Sequence, residues 1–188
     1  PGLITIEATA VEPEGRITHG CTGLYSDENE KEMKRVIDFC KSVGHSKIAI
    51  QLAHAGRKAS SQRPWEGGNA LPESDGWLTY SSSPNKFAED WHTPEELDQT
   101  GLNRIISKFV EATERSIRMG IDAVELHCAH GYLLHQFLSP ICNERTAAYG
   151  GSFDNRVKFP LEVLEAVKKV LPKETPLIMR VSATDWVD

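Results

Sequence analysis

Two histidines three residues apart, His127 and His130, with Tyr132 just beyond, are the strongest local chemical signal in the sequence. They follow the apolar run Ile121 to Leu126. At the end of a strand, that spacing brings both imidazoles over one cavity, where they can donate to an oxygen of a bound molecule. A lone histidine is more often a satisfied core residue, and the pair with Tyr132 weakens that reading. Zinc ranks below oxyanion binding, because no His-Glu-x-x-His helix is present and neither Cys128 nor His135 stands at a ligand spacing. Gln51 lies in an otherwise apolar strand, so its amide either satisfies a neighbouring backbone group or reads the edge of a planar polar ligand. Arg180, between Met179 and Val181, reads as a buried guanidinium that needs either a structural carboxylate or an anionic ligand.

These residues fall at the ends of apolar runs. Leu3 to Val11 reads as a strand closed by the turn Glu12-Pro13-Glu14-Gly15. Ser26-Asp27 opens a helix with Met33, Val36, Ile37, Cys40 and Val43 on its apolar face, and Gly44 stops it. Lys47 to Ala53 is a second strand. Residues 54–93 carry no convincing periodic element, and Trp65, Trp77 and Trp91 among them argue for a loop ordered against a surface. Thr93-Pro94-Glu95-Glu96 has the chemistry of a capping box. It predicts a helix to Gly120 burying Ile105, Ile106, Phe109, Val110, Thr113 and Ile117. Ile121 to Leu126 is a third strand, and Gly150-Gly151-Ser152 reads as a turn and helix cap. Val157, Leu161, Leu164, Val167 and Leu171 mark a further helix, which Pro160 should kink or delay. Pro176 to Ser182 is the fourth strand.

Strands alternating with amphipathic helices predict a parallel α/β sheet with right-handed crossovers. Four strands are half of a (β/α)8 barrel, and a small open sheet is the alternative. In either fold ligands bind at the carboxyl ends of the strands, where Ala8-Thr9, Gln51 to Arg57, His127 to Tyr132 and Arg180 would converge.

The chain has 188 residues, 39% apolar and 26% charged, enough for one domain with a core of its own. Its net charge of −6 argues against nucleic acid as a partner. No apolar run approaches the roughly 20 residues that span a bilayer. The four cysteines form no Cys-x-x-Cys pair, so reduced thiols in the cytoplasm are expected. The abrupt apolar start and finish predict a piece of something longer. Dinucleotide-fold, P-loop and hydrolase-elbow motifs are absent.

The run Val124-Glu125-Leu126-His127-Cys128-Ala129-His130-Gly131-Tyr132, continued by Leu133 to Pro140, resembles the signature of the Old Yellow Enzyme family. Asn143, Arg145, Tyr149-Gly150-Gly151-Ser152 and Asn155-Arg156 extend it, as do Gln51 to Lys58 and Arg180-Val181-Ser182-Ala183, most closely in the thermophilic-like branch. The resemblance implies a TIM barrel of which residues 1–188 supply about strands two to five, with residues 54–93 as a long active-site loop. It implies an FMN oxidoreductase that uses NADPH to reduce activated C=C bonds of small α,β-unsaturated substrates. Ala8, Gln51 and Arg180 would then contact the flavin. His127 and His130 would hold the substrate oxygen, and Tyr132 would be the proton donor.

The sequence departs from the family in three ways. None of its cysteines stands at the redox-tuning position, the strands that bind the FMN phosphate are not represented, and Ala147 replaces a loop carboxylate. Two sheet edges left open predict a homo-oligomer. The rival readings are a non-catalytic half-barrel acting through association and a histidine-based metal enzyme.

Overall fold

The computed structural model describes residues 1–187. Strands β1 (Leu3–Ala10), β2 (Lys47–Ala53), β5 (Ala123–Cys128) and β6 (Leu177–Val181) form one parallel sheet in the order β1-β2-β5-β6. Helix α1 (Asp27–Val43) connects β1 to β2 and α2 (Gln99–Arg118) precedes β5. Helices α3 (Leu133–Leu138) and α4 (Phe153–Val170) lie between β5 and β6. A second, two-stranded parallel pair joins β3 (Tyr80–Ser81) to β4 (Glu95–Glu96).

Side chains alternate across the sheet, and the two faces differ in chemistry. Ile48, Ile50 and Leu52 of β2, with Val124, Leu126 and Cys128 of β5, point into a core. Leu102, Ile105 and Phe109 of α2 and Phe159, Val163 and Val167 of α4 complete it. The intervening residues Ala49, Gln51, Ala53, Ala123, Glu125 and His127 therefore share the opposite, inner face. Register fixes their neighbours there: Gln51 lies opposite Glu125, and His127 opposite Arg180.

Several helix expectations are corrected. Thr93-Pro94-Glu95-Glu96 does not cap a helix, because the Glu95 and Leu97 amides donate instead to the Thr79 and Ser81 carbonyls. Helix α2 starts later, with Asp98 accepting from the Gly101 amide at 2.7 Å. Its inward stripe is Leu102, Ile105, Phe109, Ala112, Thr113 and Ser116, leaving Ile106, Val110 and Ile117 half-buried. The small residues allow close packing, and the Thr113 and Ser116 hydroxyls donate to the carbonyls four residues earlier. On α1 only Ile37 is fully buried, while Val36, Phe39, Cys40 and Val43 are exposed, because α1 flanks the edge strand β1. Ser152 caps α4 as expected, and Pro160 lies inside that helix without delaying its start.

Residues 54–93 are ordered by their own contacts. Ser61 pairs with Ala70, and the Trp77 indole N–H donates to the Glu14 carbonyl at 3.1 Å. Trp65 does not help, being 79% exposed. No helix among the described residues is long and apolar enough to cross a membrane.

Candidate active site

The sequence-predicted residues of β5 come together at its carboxyl end. The rings of His127 and His130 stand edge to face with centroids 5.1 Å apart, and Tyr132 lies 4.9 Å from His127. The chain turns sharply between them, with His130 at φ 60° and Gly131 at φ 75°. For a histidine that left-handed conformation is strained, by about 1–2 kcal/mol.

His127 is buried, and its Nδ1 accepts the Ala129 amide at 3.2 Å. The ring is therefore neutral, with its proton on Nε2 and ready to be donated. Burial, followed by the charges of His130, Arg180, Lys58 and His135, pushes its pKa down to about 4. This tautomer suits an oxygen and not a metal, which needs the Nε2 lone pair. Cys128 points to the opposite face, where burial pushes its thiol up to about 12, so it supplies no thiolate. Tyr132 is half-buried, and desolvation, then Cys21, raises its pKa.

Gln51 is buried on the inner face, and its side-chain N–H donates to Glu125 Oε1. The Glu125 oxygen is the acceptor here, so this contact fixes which way the amide faces and leaves its carbonyl as the outward group. The amide is thus tied by a side chain and not by backbone. Arg180 corrects the expectation of a buried guanidinium: it is exposed on the same face and pairs with no carboxylate among the described residues. Ala8 lies near the end of β1, where Ala8, Ala10, Ala53 and Ala55 line a small recess with Cys21 and Tyr132.

Surrounding residues to which the sequence assigned no such role hold these groups in place. Buried Glu12 accepts from His54 Nε2 at 2.9 Å and from Arg104 at 2.7 Å, joining the ends of β1 and β2 to α2. Desolvation would raise its pKa, but the hydrogen bonds and charges of His54 and Arg104 win and leave it lowered. Gln136 donates to the Ala55 and Gly131 carbonyls, tying the turn after β2 to the turn after β5. His135 Nδ1 accepts the Gly131 amide, while Asp185 lies 3.4 Å from its Nε2 and accepts from Ser139. Lys58 donates to the His130 carbonyl. His54, Lys58 and His135 fall in segments already singled out in the sequence, but the contacts that give them and Glu12 a role are long-range and carry no local signal.

Across its whole length, residues 1–188, the chain matches the profile of the NADH:flavin oxidoreductase / NADH oxidase family. The chain belongs to this family. It is 44% identical over 193 residues to an NADH:flavin oxidoreductase of Gibberella zeae, covering 100% of this chain and 46% of that protein. It is 42% identical over 187 residues to an NADPH dehydrogenase of Bacillus velezensis, covering 100% of this chain and 50% of that protein. Among solved structures, morphinone reductase in complex with tetrahydroNAD superimposes with a TM-score of 0.83 at 31% identity, over 95% of this chain and 50% of that one. The Old Yellow Enzyme resemblance is thereby confirmed. The chain spans about half the length of the curated relatives it matches. Its four-stranded sheet corresponds to half of the TIM barrel of these structural neighbours.

Proposed function

We propose that the protein carrying this chain is an FMN-dependent, NADPH-oxidising enzyme that reduces activated C=C bonds of enones, enals and nitroalkenes. The observation that carries the reading is the neutral His127, with Nε2–H free to donate, beside His130 and Tyr132 at the mouth of the sheet. Relatives named NADPH dehydrogenase and a structural neighbour in complex with tetrahydroNAD support a nicotinamide as electron source.

The inner face fits the pyrimidine edge of a flavin. The amide carbonyl of Gln51 is an acceptor for an imide N–H, and Arg180 is a cation without a carboxylate partner among the described residues. Ala8, near the end of β1, presents only a methyl group beside this face. FMN, when bound, supplies the hydride that reaches the β-carbon of the alkene.

The protein's own residues do the rest. His127 and His130 polarise the carbonyl or nitro oxygen and take up the negative charge that develops there. His127 suits that task because the Ala129 amide occupies its Nδ1 and leaves the Nε2–H to donate. Tyr132, a phenol whose pKa burial raises further above neutrality, delivers its proton to the α-carbon.

Anaerobic NADPH should bleach the FMN-loaded protein, and 2-cyclohexenone should restore its colour. His127→Ala with His130→Ala should slow the restoration about a hundredfold and spare the bleaching. Colour restored by oxygen but not by any enone or nitroalkene would overturn the reading.

A further inference from the structure

Lys58 follows β2, yet its contacts belong to β5. Its ammonium donates to the His130 carbonyl at 3.0 Å. It also lies 4.8 Å from the centroid of Phe87 and 4.9 Å from that of Tyr132, one ring from the 54–93 segment and one from the candidate site. No carboxylate pairs with it among the described residues. On the other side of the same residue, the His130 amide donates to Ser182 Oγ, also at 3.0 Å, from the segment after β6.

His130 is therefore held at both ends of its backbone by groups from two other strand ends. Its left-handed conformation makes that significant. A non-glycine residue at φ 60° relaxes unless its surroundings over-determine it. A carbonyl bond to a cation and an amide bond to a hydroxyl supply that constraint, and hydrogen bonds to charged groups are the stronger kind. The rings of Phe87 and Tyr132 in turn keep the ammonium half-buried over the turn.

We propose that Lys58 is a positioning residue for the substrate-oxygen site: with Ser182 it clamps His130 in its left-handed conformation and so holds the His130 imidazole against His127. The proposal rests on the oxygen-binding role given to the two histidines. It makes that site depend on three strand ends at once, those of β2, β5 and β6. Gly131, also left-handed at φ 75°, lies against the Lys58 stem; a Cβ there would make only ordinary contact with Lys58 Cδ at 3.5 Å, so the backbone conformation and not the space calls for glycine.

The test is a titration of the FMN-loaded protein with p-hydroxybenzaldehyde, followed by its charge-transfer band, alongside imidazole ¹⁵N spectra of the flavin-free protein. Lys58→Met should weaken phenol binding about tenfold and shift the His130 resonances. Lys58→Arg, which keeps both the charge and the donor, should return binding to within about threefold. Ser182→Ala, a milder change on the opposite segment, should weaken binding in the same direction if Lys58→Met proves too unstable to titrate. Its effect and that of Lys58→Met should be non-additive, since both act through one residue.

His127→Ala is the control for the underlying reading. If it too leaves phenol binding unchanged, the oxygen site itself is wrong. If it weakens binding while Lys58→Met and Ser182→Ala leave both binding and the His130 spectrum as in the parent, the clamp is refuted.

Discussion

The Ala129 amide fixes the tautomer of His127, and the same burial that makes this possible makes the ring costly to charge. Its pKa of about 4 lies below the ordinary value near 6.5. Between those values the unfolded chain binds a proton that the native protein refuses, so stability falls as the pH is lowered through that window. The contribution is fully present above pH 6.5, and by pH 4 about 3 kcal/mol of it should be lost. Urea unfolding at a series of pH values should show that slope, reduced in His127→Asn; an unreduced slope would assign it to other groups. The amide of Gln51 is fixed in a comparable way by Glu125. Glu125→Leu should weaken FMN binding about tenfold in a fluorescence-quenching titration, and Glu125→Gln, which keeps an acceptor, much less. In a Gln51→Leu background the Glu125→Leu effect should vanish, since Glu125 acts through that amide. Gln51 was legible because it interrupts an apolar run, and the histidines because they stand as a closely spaced pair just after one. Glu125 was not, because a carboxylate in a strand reads as solvated until register sets it opposite Gln51.

At the scale of elements, the alternation of strands and helices was readable from apolar periodicity, but where α2 begins was not. Thr93-Pro94-Glu95-Glu96 satisfies the local rules of a cap and loses to tertiary pairing, since the Thr79 and Ser81 carbonyls claim its amides. Asp98→Ala should therefore cost about 1 kcal/mol and Thr93→Ala much less, as thermal unfolding would show. Equal effects would put the helix start back at Thr93. Helix α3 escaped notice because its six residues are too short for a period to show. Glu12, read as part of a turn, instead cross-links two strand ends to α2 through His54 and Arg104. Breaking a buried pair of this kind costs about 3 kcal/mol, so Glu12→Ala should lower the unfolding free energy by that amount. The lowered pKa of Glu12 sets the sign of its pH dependence. Its contribution is present above the ordinary carboxylate value and lost as the pH falls through the depressed one. A Glu12→Ala variant as stable as its parent would show the cross-link to be incidental.

For the whole molecule, the decisive feature is that the sheet has two unpaired edges, β1 and β6. Among the described residues, each is flanked by large apolar side chains that remain substantially exposed. Leu3, Ile4, Val36, Phe39 and Val43 lie on the β1 and α1 side, and Phe153, Leu161, Ile178 and Val181 on the α4 and β6 side. Phe39 is 66% and Val43 70% exposed, which is unusual for large apolar residues on one helix face. Apolar periodicity placed Val36 and Val43 on the buried face of α1 and Leu161 on that of α4, and the structure leaves all three exposed. Periodicity reports residue type and spacing, not whether a neighbouring element covers the face, and the chain spans about half the length of the relatives it matches. A parallel strand with free N–H and C=O groups beside an apolar helix face is a template for association. We propose that the 188-residue chain by itself is a homo-oligomer. Sedimentation velocity at micromolar concentration should then show species larger than the monomer, and Phe39→Lys with Val43→Lys should shift the distribution toward it. Because both side chains are exposed, that double variant should keep the unfolding midpoint of the monomeric unit. A parent chain that sediments as a monomer would mean that α1 and β1 tolerate their exposed apolar surface without a partner.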